Sequence, residues 1–440
     1  MLEVQKMGWG IGGREVLEDS REVAVACGLQ FPESGFMEVD ESLLELKALA
    51  YTAGADVAAT VVQNRSRPDS ATYIGRGKLK EINELLNAHG AQLVIFDDEL
   101  TPAQLRNLED ALGVKVIDRT QLILDIFAQR ARTKEAQLQV ELAQQQYLLP
   151  RLAGRGTSLS RLGGGIGTRG PGETKLETDR RRIRQRIAFL RREIDEIRSQ
   201  RSLQRRIRQK NAVPVVALVG YTNAGKSTLL NRLTGAGVLA EDQLFATLDP
   251  TIRRWELPTS GQPVLFVDTV GFIRKLPHAL VAAFRATLEE VMEADVLIHV
   301  VDAAAYNTEA QRQAVLEVLQ ELGWAGQPLI TAFNKVDTLA RRAAISSLLA
   351  KIPDSIAISA LTGAGLEGLF ELLERKLGER LIYDTYEIPY EHGSVAAAMR
   401  EMGQVVEEQY TETGIRLQVG LPDSSASRWA KYRLHPDDDR

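Results

Sequence analysis

The chain has 440 residues, enough for two to four domains, and its 44% apolar content is ample for buried cores. A single cysteine, Cys27, excludes a disulfide framework. With no basic-then-apolar leader and no uncharged apolar run of about 18 residues, a soluble, cytoplasmic protein is expected.

The first dozen residues are glycine-rich and aperiodic, and are expected to be disordered. Beyond them, apolar runs at 23–27, 57–62, 93–96 and 114–117 read as strands. They alternate with helical runs at 41–51 and 101–112, so residues 1–130 are expected to form an α/β domain. Gly75-Arg-Gly-Lys78 is a partial phosphate-loop string that reads better as a turn.

Residues 131–211 carry a different signal. Leu138, Leu142 and Leu149 lie on one helical stripe ended by Pro150, and Ile183, Ile187, Leu190, Ile194 and Ile197 follow the 4-3 spacing of a helix-pairing seam. Thr174 and Glu177 fit a capping box at the start of the second helix. The two helices are expected to form an antiparallel hairpin. Their connection, 153–172, holds eight glycines and three arginines, Arg155, Arg161 and Arg169. The net charge of −5 conceals this element: residues 151–210 hold 18 Lys/Arg against 6 Asp/Glu, or +12, leaving −17 on the remainder. Such local basicity is the footprint of a nucleic-acid contact, or else a solvated helix face. Arginines among glycines suit adaptive contact with folded RNA, and Arg155, Arg161, Gly164 and Arg169 are the candidate RNA-binding residues; a flexible linker is the competing reading.

The most specific motif follows the apolar run 215–219. Gly220, Tyr221, Thr222, Asn223, Ala224, Gly225, Lys226, Ser227 and Thr228 spell a phosphate-binding loop in its strand–loop–helix setting. The glycines let backbone N–H groups face a phosphate chain, Lys226 reaches the β and γ phosphates, and Ser227 can ligate Mg²⁺. Asn223 is either a turn residue or a holder of an activating K⁺, as in some related GTPases. A strand at 263–267 ends in Asp268, Thr269, Val270 and Gly271: the carboxylate can hold the Mg²⁺ water shell, and the Gly271 N–H can reach the γ-phosphate. Another, at 329–333, ends in Asn334, Lys335, Val336 and Asp337. A carboxylate in the plane of the base accepts from both the ring N–H and the exocyclic amine of guanine, a pair that adenine lacks. Strand 355–358 then leads to Ser359, Ala360 and Leu361, whose N–H groups can meet the guanine keto oxygen. All these pieces sit at carboxyl ends of predicted strands, where open α/β sheets bind ligands. Residues 212–378 resemble the Ras-like GTPase domain, which implies GTP and GDP as ligands. Phe272 occupies the place where Ras carries its water-orienting glutamine, so slow intrinsic hydrolysis and an activating partner are expected. By resemblance to translation-factor-related GTPases, the loop Phe245, Ala246, Thr247, Leu248 and Asp249 contacts nucleotide. Thr247 would complete the Mg²⁺ shell, with Thr251 the competing choice. Lys226, Thr247 and Gly271 are the candidate catalytic groups.

After Arg380, apolar runs at 382–388 and 415–419 flank a helical run at 395–408, consistent with a small β-α-β domain over 379–440. The expected fold class is α/β: a P-loop GTPase domain preceded by an α/β N-terminal domain with a long helical hairpin, and followed by a small α+β domain.

The segment 164–181, with Val116-Ile-Asp-Arg-Thr, Asp125-Ile-Phe-Ala-Gln-Arg-Ala-Arg, residues 244–251 and Asp268-Thr-Val-Gly-Phe-Ile-Arg, resembles the signature of the HflX GTPases over residues 40–380. The resemblance implies a monomer bound to the large ribosomal subunit and its RNA. Its glycine-rich loop would lie near the peptidyl-transferase centre, and GTP would drive the splitting or rescue of stalled ribosomes under stress. It also implies an N-terminal region that binds ATP, with no residue assigned. Two other readings stand beside it: an ATP-driven RNA remodeller with a regulatory GTP site, and a membrane-associated signalling GTPase whose basic hairpin meets anionic lipid. The absence of an apolar face beside the arginines counts against the last.

Overall fold

The computed structural model describes residues 21–32, 36–152, 171–210, 213–235, 244–258, 260–275, 291–324, 326–338, 342–379 and 381–434. Arg155, Arg161, Gly164 and Arg169, the predicted RNA contacts, lie outside them. The chain divides into two compact units, Met1–Arg119 and Thr120–Arg440. Among the described residues, no helix is long and apolar enough to cross a membrane.

The first unit is a parallel sheet in the order β2-β1-β3-β4, built from β1 (Glu22–Gln30), β2 (Ala55–Asn64), β3 (Leu93–Phe96) and β4 (Lys115–Asp118). Seven successive residues of β1 are buried, as expected of a parallel strand covered on both faces. The crossovers are α1 (Phe36–Ala53), α2 (Arg76–His89) and α3 (Pro102–Leu112). Thr101 and Gln104 close a capping box at the start of α3, with Pro102 at its first turn. Gly75-Arg-Gly-Lys78 does not form a turn: Gly75 is extended, its N–H is held by the Gln63 side chain at 2.9 Å, and Arg76 opens α2. Burial of Ile82 and Leu86 one turn apart on the core face gives the helix its reason to start there.

A polar knot ties the carboxyl ends of β3 and β4. The Arg119 guanidinium, 2% exposed, meets the Asp97 carboxylate at 3.1 Å and Glu45 at 3.7 Å. Ser42 Oγ donates to Asp97 at 2.6 Å, and the Asp118 carboxylate accepts from the Leu100 N–H. Removing one side of a buried pair leaves a desolvated charge under-compensated, so Asp97→Ala should destabilise this unit by about 3 kcal/mol, the low end of the usual cost because Glu45 remains. Cys27 is fully buried in the same sheet, so its reaction with a thiol reagent across a urea series reports opening of this unit. Labelling at the wild-type urea midpoint would show that the knot is not stabilising.

In the second unit, α4 (Arg119–Arg130) leads to α5 (Lys134–Arg151), which lies against α6 (Pro171–Lys210). Lys134 pairs with Glu193 and Arg186 with Glu141, which fixes an antiparallel hairpin. α6 buries Ile187, Leu190 and Ile194 from the predicted seam, with Ile183 and Ile197 half-buried. On α5 the seam differs from expectation. The buried residues are Glu135, Ala136, Gln139, Val140, Ala143, Gln144 and Tyr147, while Leu138, Leu142 and Leu149 are half-buried. Pro150 lies inside α5 rather than ending it, and α6 begins at Pro171, so Thr174 is within the helix and is not its cap.

The adjoining six-stranded sheet runs β10-β9-β8-β5-β7-β6. Its strands are β5 (Val215–Gly220), β6 (Thr251–Glu256), β7 (Pro263–Asp268), β8 (Val296–Asp302), β9 (Leu329–Asn334) and β10 (Ser355–Ala357), all parallel except the edge strand β6. The helix α7 (Lys226–Thr234) follows the phosphate loop. The last segment is a three-stranded antiparallel sheet, β11 (Leu381–Pro389), β13 (Gly414–Pro422) and β12 (Gln404–Tyr410) in that order, packed on the helix Gly393–Met402. The helical run expected to reach residue 408 ends at Met402. Gly403 is extended, and β-branched Val405 and Val406 favour the strand that follows.

Candidate nucleotide site

The carboxyl ends of β5, β7, β9 and β10 bring the four predicted motifs into one region. Gly225, at φ 94°, stands at the start of α7 in a conformation other residues rarely adopt, and a β-carbon there would strike the Asn334 side chain. The N–H groups of the first turn of α7 have no intrahelical partner and face an anion site, which the helix dipole reinforces. Lys226 is buried, its ammonium donating to the Gly220 and Tyr221 carbonyls at 3.0 and 2.8 Å. Burial pushes it down to about 8, against the pull of the Asp268 carboxylate.

Behind α7, three oxygens converge. Ser227 Oγ donates to Asp268 Oδ2 at 2.7 Å and lies 2.9 Å from Thr247 Oγ1, which is itself 3.2 Å from Asp268 Oδ2. Burial raises the Asp268 carboxyl above its ordinary range, partly offset by Lys226 and the two hydroxyls. Among the described residues, Asp268 Oδ1 is buried with no hydrogen-bond partner. A buried carboxylate with an orphaned oxygen, beside two hydroxyls, is a hard-oxygen donor set that fits Mg²⁺. Thr251, the alternative switch residue, lies in β6 paired with Asp268 in register, whereas Thr247 reaches Ser227.

Gly271 closes the cleft. A β-carbon there would come within 2.8 Å of Thr222 Cγ2 and 3.2 Å of the Lys226 ammonium, so any larger residue would crowd the phosphate loop. The Thr269 hydroxyl bonds the Leu218 carbonyl, and Val270 is buried. Phe272 is less detached than the sequence suggests. Its N–H donates to Gly220 O, its carbonyl accepts the Thr222 N–H at 2.7 Å, and its ring is 3% exposed. An alanine there would keep both backbone bonds and lose the buried packing of the ring beside the phosphate loop.

At the far end, Asn334 Nδ2 donates to the Ala224 carbonyl at 2.8 Å, joining this motif to the phosphate loop. Lys335, at φ 63°, pairs with Asp302 at 2.8 Å. Val336 opens a single 3₁₀ turn, and the exposed Asp337 accepts from Ser359 Oγ at 2.6 Å. Two of the three predicted base-contacting amides are committed elsewhere: Ser359 N–H bonds Ala364 O, and Ala360 N–H bonds Asn334 Oδ1. Of that trio, Leu361 alone keeps an uncommitted N–H among the described residues. Asp302 was missed in the sequence; its only signal was its place at the carboxyl end of an apolar run.

In the loop before β6, Phe245, Ala246 and Thr247 line the cleft with Thr228 and the exposed Asn223, at φ 58°. Leu248 is buried, and the Asp249 carboxylate turns to the start of α5.

Three family models match in succession: "GTP-binding GTPase N-terminal" over residues 40–128, "GTP-binding GTPase Middle Region" over 130–208, and "50S ribosome-binding GTPase" over 215–335. The chain is 49% identical to GTPase HflX of Caldanaerobacter subterraneus subsp. tengcongensis over 94% of each chain. It is 45% identical to GTPase HflX of Escherichia coli, over 92% of this chain and 94% of that one. A solved GTP-binding protein from Sulfolobus solfataricus in complex with GDP is 27% identical, with 81% of this chain and 99% of that chain covered and a TM-score of 0.43. Such identity to proteins named GTPase HflX over nearly the whole of both chains, with the three family models in succession, shows that the chain belongs to the HflX family of GTPases and is itself a GTPase.

Proposed function

We propose that this protein is a ribosome-associated GTPase that binds Mg·GTP at the cleft described above and separates or rescues stalled ribosomes. The observation that carries the nucleotide half is the convergence of Ser227, Thr247 and Asp268 beside the Lys226 ammonium. Mg²⁺ held by Ser227 and Thr247, with Asp268 bonding its waters, would neutralise charge on the β and γ phosphates. Lys226 leaves its two carbonyls for the phosphate chain, Gly271 N–H donates to the γ-phosphate, and Asp337 accepts from the guanine edge. Loss of the γ-phosphate releases Thr247 and with it the loop 244–250. Phe272 offers no group to orient water, so a partner completes the site.

The ribosomal half rests on the +12 charge of residues 151–210, the antiparallel hairpin that carries them, and a family model described as ribosome-binding. We divide the chain accordingly at about residues 130, 211 and 378. The hairpin and its arginines contact ribosomal RNA, and the GTPase domain gates that contact. Large ribosomal subunits should then accelerate hydrolysis at least about tenfold, roughly 1.4 kcal/mol of barrier. Cosedimentation with large subunits should require a non-hydrolysable GTP analogue. Shortening the loop from Gly163 to Gly170 should cut subunit splitting more than binding, because the basic helices still anchor the protein. Splitting at the wild-type rate by the shortened protein would make the loop a linker.

A further inference from the structure

Thr247 is bracketed by two anchors to the segment that leads into the helical hairpin. Two residues before it, Phe245 adopts φ 57°, a conformation costly for a bulky side chain, and its ring is 2% exposed. That ring stands edge-on to Phe127 of α4, with centroids 4.7 Å apart and planes at 77°. Strain of about 1–3 kcal/mol persists only where the surroundings over-determine it, and here the aromatic contact does so. Two residues after Thr247, the Asp249 carboxylate accepts the Arg132 N–H at 2.9 Å, the Thr133 N–H at 3.1 Å and the Thr133 hydroxyl at 2.5 Å. Thr133 is at the same time the N-cap of α5, accepting from Ala136 N–H.

We propose that Asp249 is a positioning residue for GTP hydrolysis, holding Thr247 in place by tying its loop to the first turn of the helical hairpin. The physical reason is entropic and electrostatic. Ordering a free loop costs about 1–2 kcal/mol per residue, and anchors on both sides of Thr247 meet that cost before nucleotide arrives. A carboxylate on N–H groups at a helix start makes charge-assisted bonds that the helix dipole strengthens. Coupling runs both ways: a γ-phosphate that engages Thr247 fixes the α4–α5 corner, and a hairpin displaced at that corner withdraws Thr247. The inference rests on the reading of Thr247 as the γ-phosphate-sensing threonine.

The test compares affinities of full-length protein for a non-hydrolysable GTP analogue and for GDP, with single-turnover hydrolysis alongside. Asp249→Ala should weaken the analogue by about tenfold and slow hydrolysis, with GDP affinity changed less than about twofold, because Thr247 acts only on the triphosphate. Thr133→Val should give a smaller loss of the same kind, and the double variant should be no worse than Asp249→Ala, since both remove one link. Asp249→Asn keeps an acceptor oxygen and should recover part of the loss, which a general folding defect would not allow. Thr247→Ala is the reference. If it raises the analogue-to-GDP ratio of dissociation constants while Asp249→Ala and Thr133→Val leave it at wild type, the positioning role is wrong. If Thr247→Ala also leaves the ratio unchanged, the reading of Thr247 is wrong and the inference falls with it. Equal loss of GDP and analogue would equally overturn it.

Discussion

Replacing Lys226 by alanine should lower kcat/KM for GTP by about 10²–10³, the usual loss when one preorganised electrostatic group is removed from a water-excluded site. The same change should leave the nucleotide-free protein about as stable as wild type. Among the described residues the buried ammonium has two carbonyls as hydrogen-bond partners and the Asp268 carboxylate acting on it, and burial has pushed it down to about 8. Deleting the ammonium removes its desolvation cost and also the charge that offsets the buried Asp268 carboxylate, so the baseline should hold while function is lost. Thermal midpoints with and without nucleotide would measure both arms: the GTP-dependent rise in midpoint should vanish while the baseline holds. A variant that loses its baseline would show that Lys226 serves the fold rather than the phosphates.

Asp337→Asn should weaken GTP by about a hundredfold and raise affinity for xanthosine triphosphate, because a site built around a specific hydrogen-bond pattern strongly rejects its inverse. The neighbouring serine sharpens the expectation. Ser359 Oγ donates to Asp337 Oδ1 at 2.6 Å, and an amide oxygen can accept that bond as well as a carboxylate can. The amide nitrogen is then turned toward the base, where it donates instead of accepting. Ser359→Ala combined with Asp337→Asn should blunt the switch, since nothing then fixes which end of the amide faces the ligand. GTP affinity untouched by the single change would remove Asp337 from base recognition.

The phosphate loop, the Asp268 strand end and the Asn334 turn were legible because each is contiguous in sequence and each follows an apolar strand. What could not be read were the partners those motifs acquire across the sheet. Asp302 reaches Lys335 only because β8 and β9 pair in parallel, with Asp302 opposite Asn334. Thr247 and Thr251 carry the same side chain four residues apart, and the antiparallel edge strand β6 separates them by fixing Thr251 in the sheet. On α5 the leucine stripe is only half-buried, and the buried residues include Glu135, Gln139 and Gln144, polar positions that an apolar periodicity cannot mark. The C-terminal strand β12 was hidden for a related reason. Val395 through Glu408 keeps a helical rhythm, and the break depends on one extended glycine, Gly403.

The hairpin also acts as a lever. α5 is 18 residues long, a stiff rod of about 27 Å at 1.5 Å per residue. Its short end is gripped by Asp249 at Thr133. A tilt of about 5° at that end sweeps the other, near Arg151, through roughly 2 Å over such a length. A displacement too small to break a hydrogen bond beside the nucleotide therefore becomes, one helix away, comparable with the width of an atom.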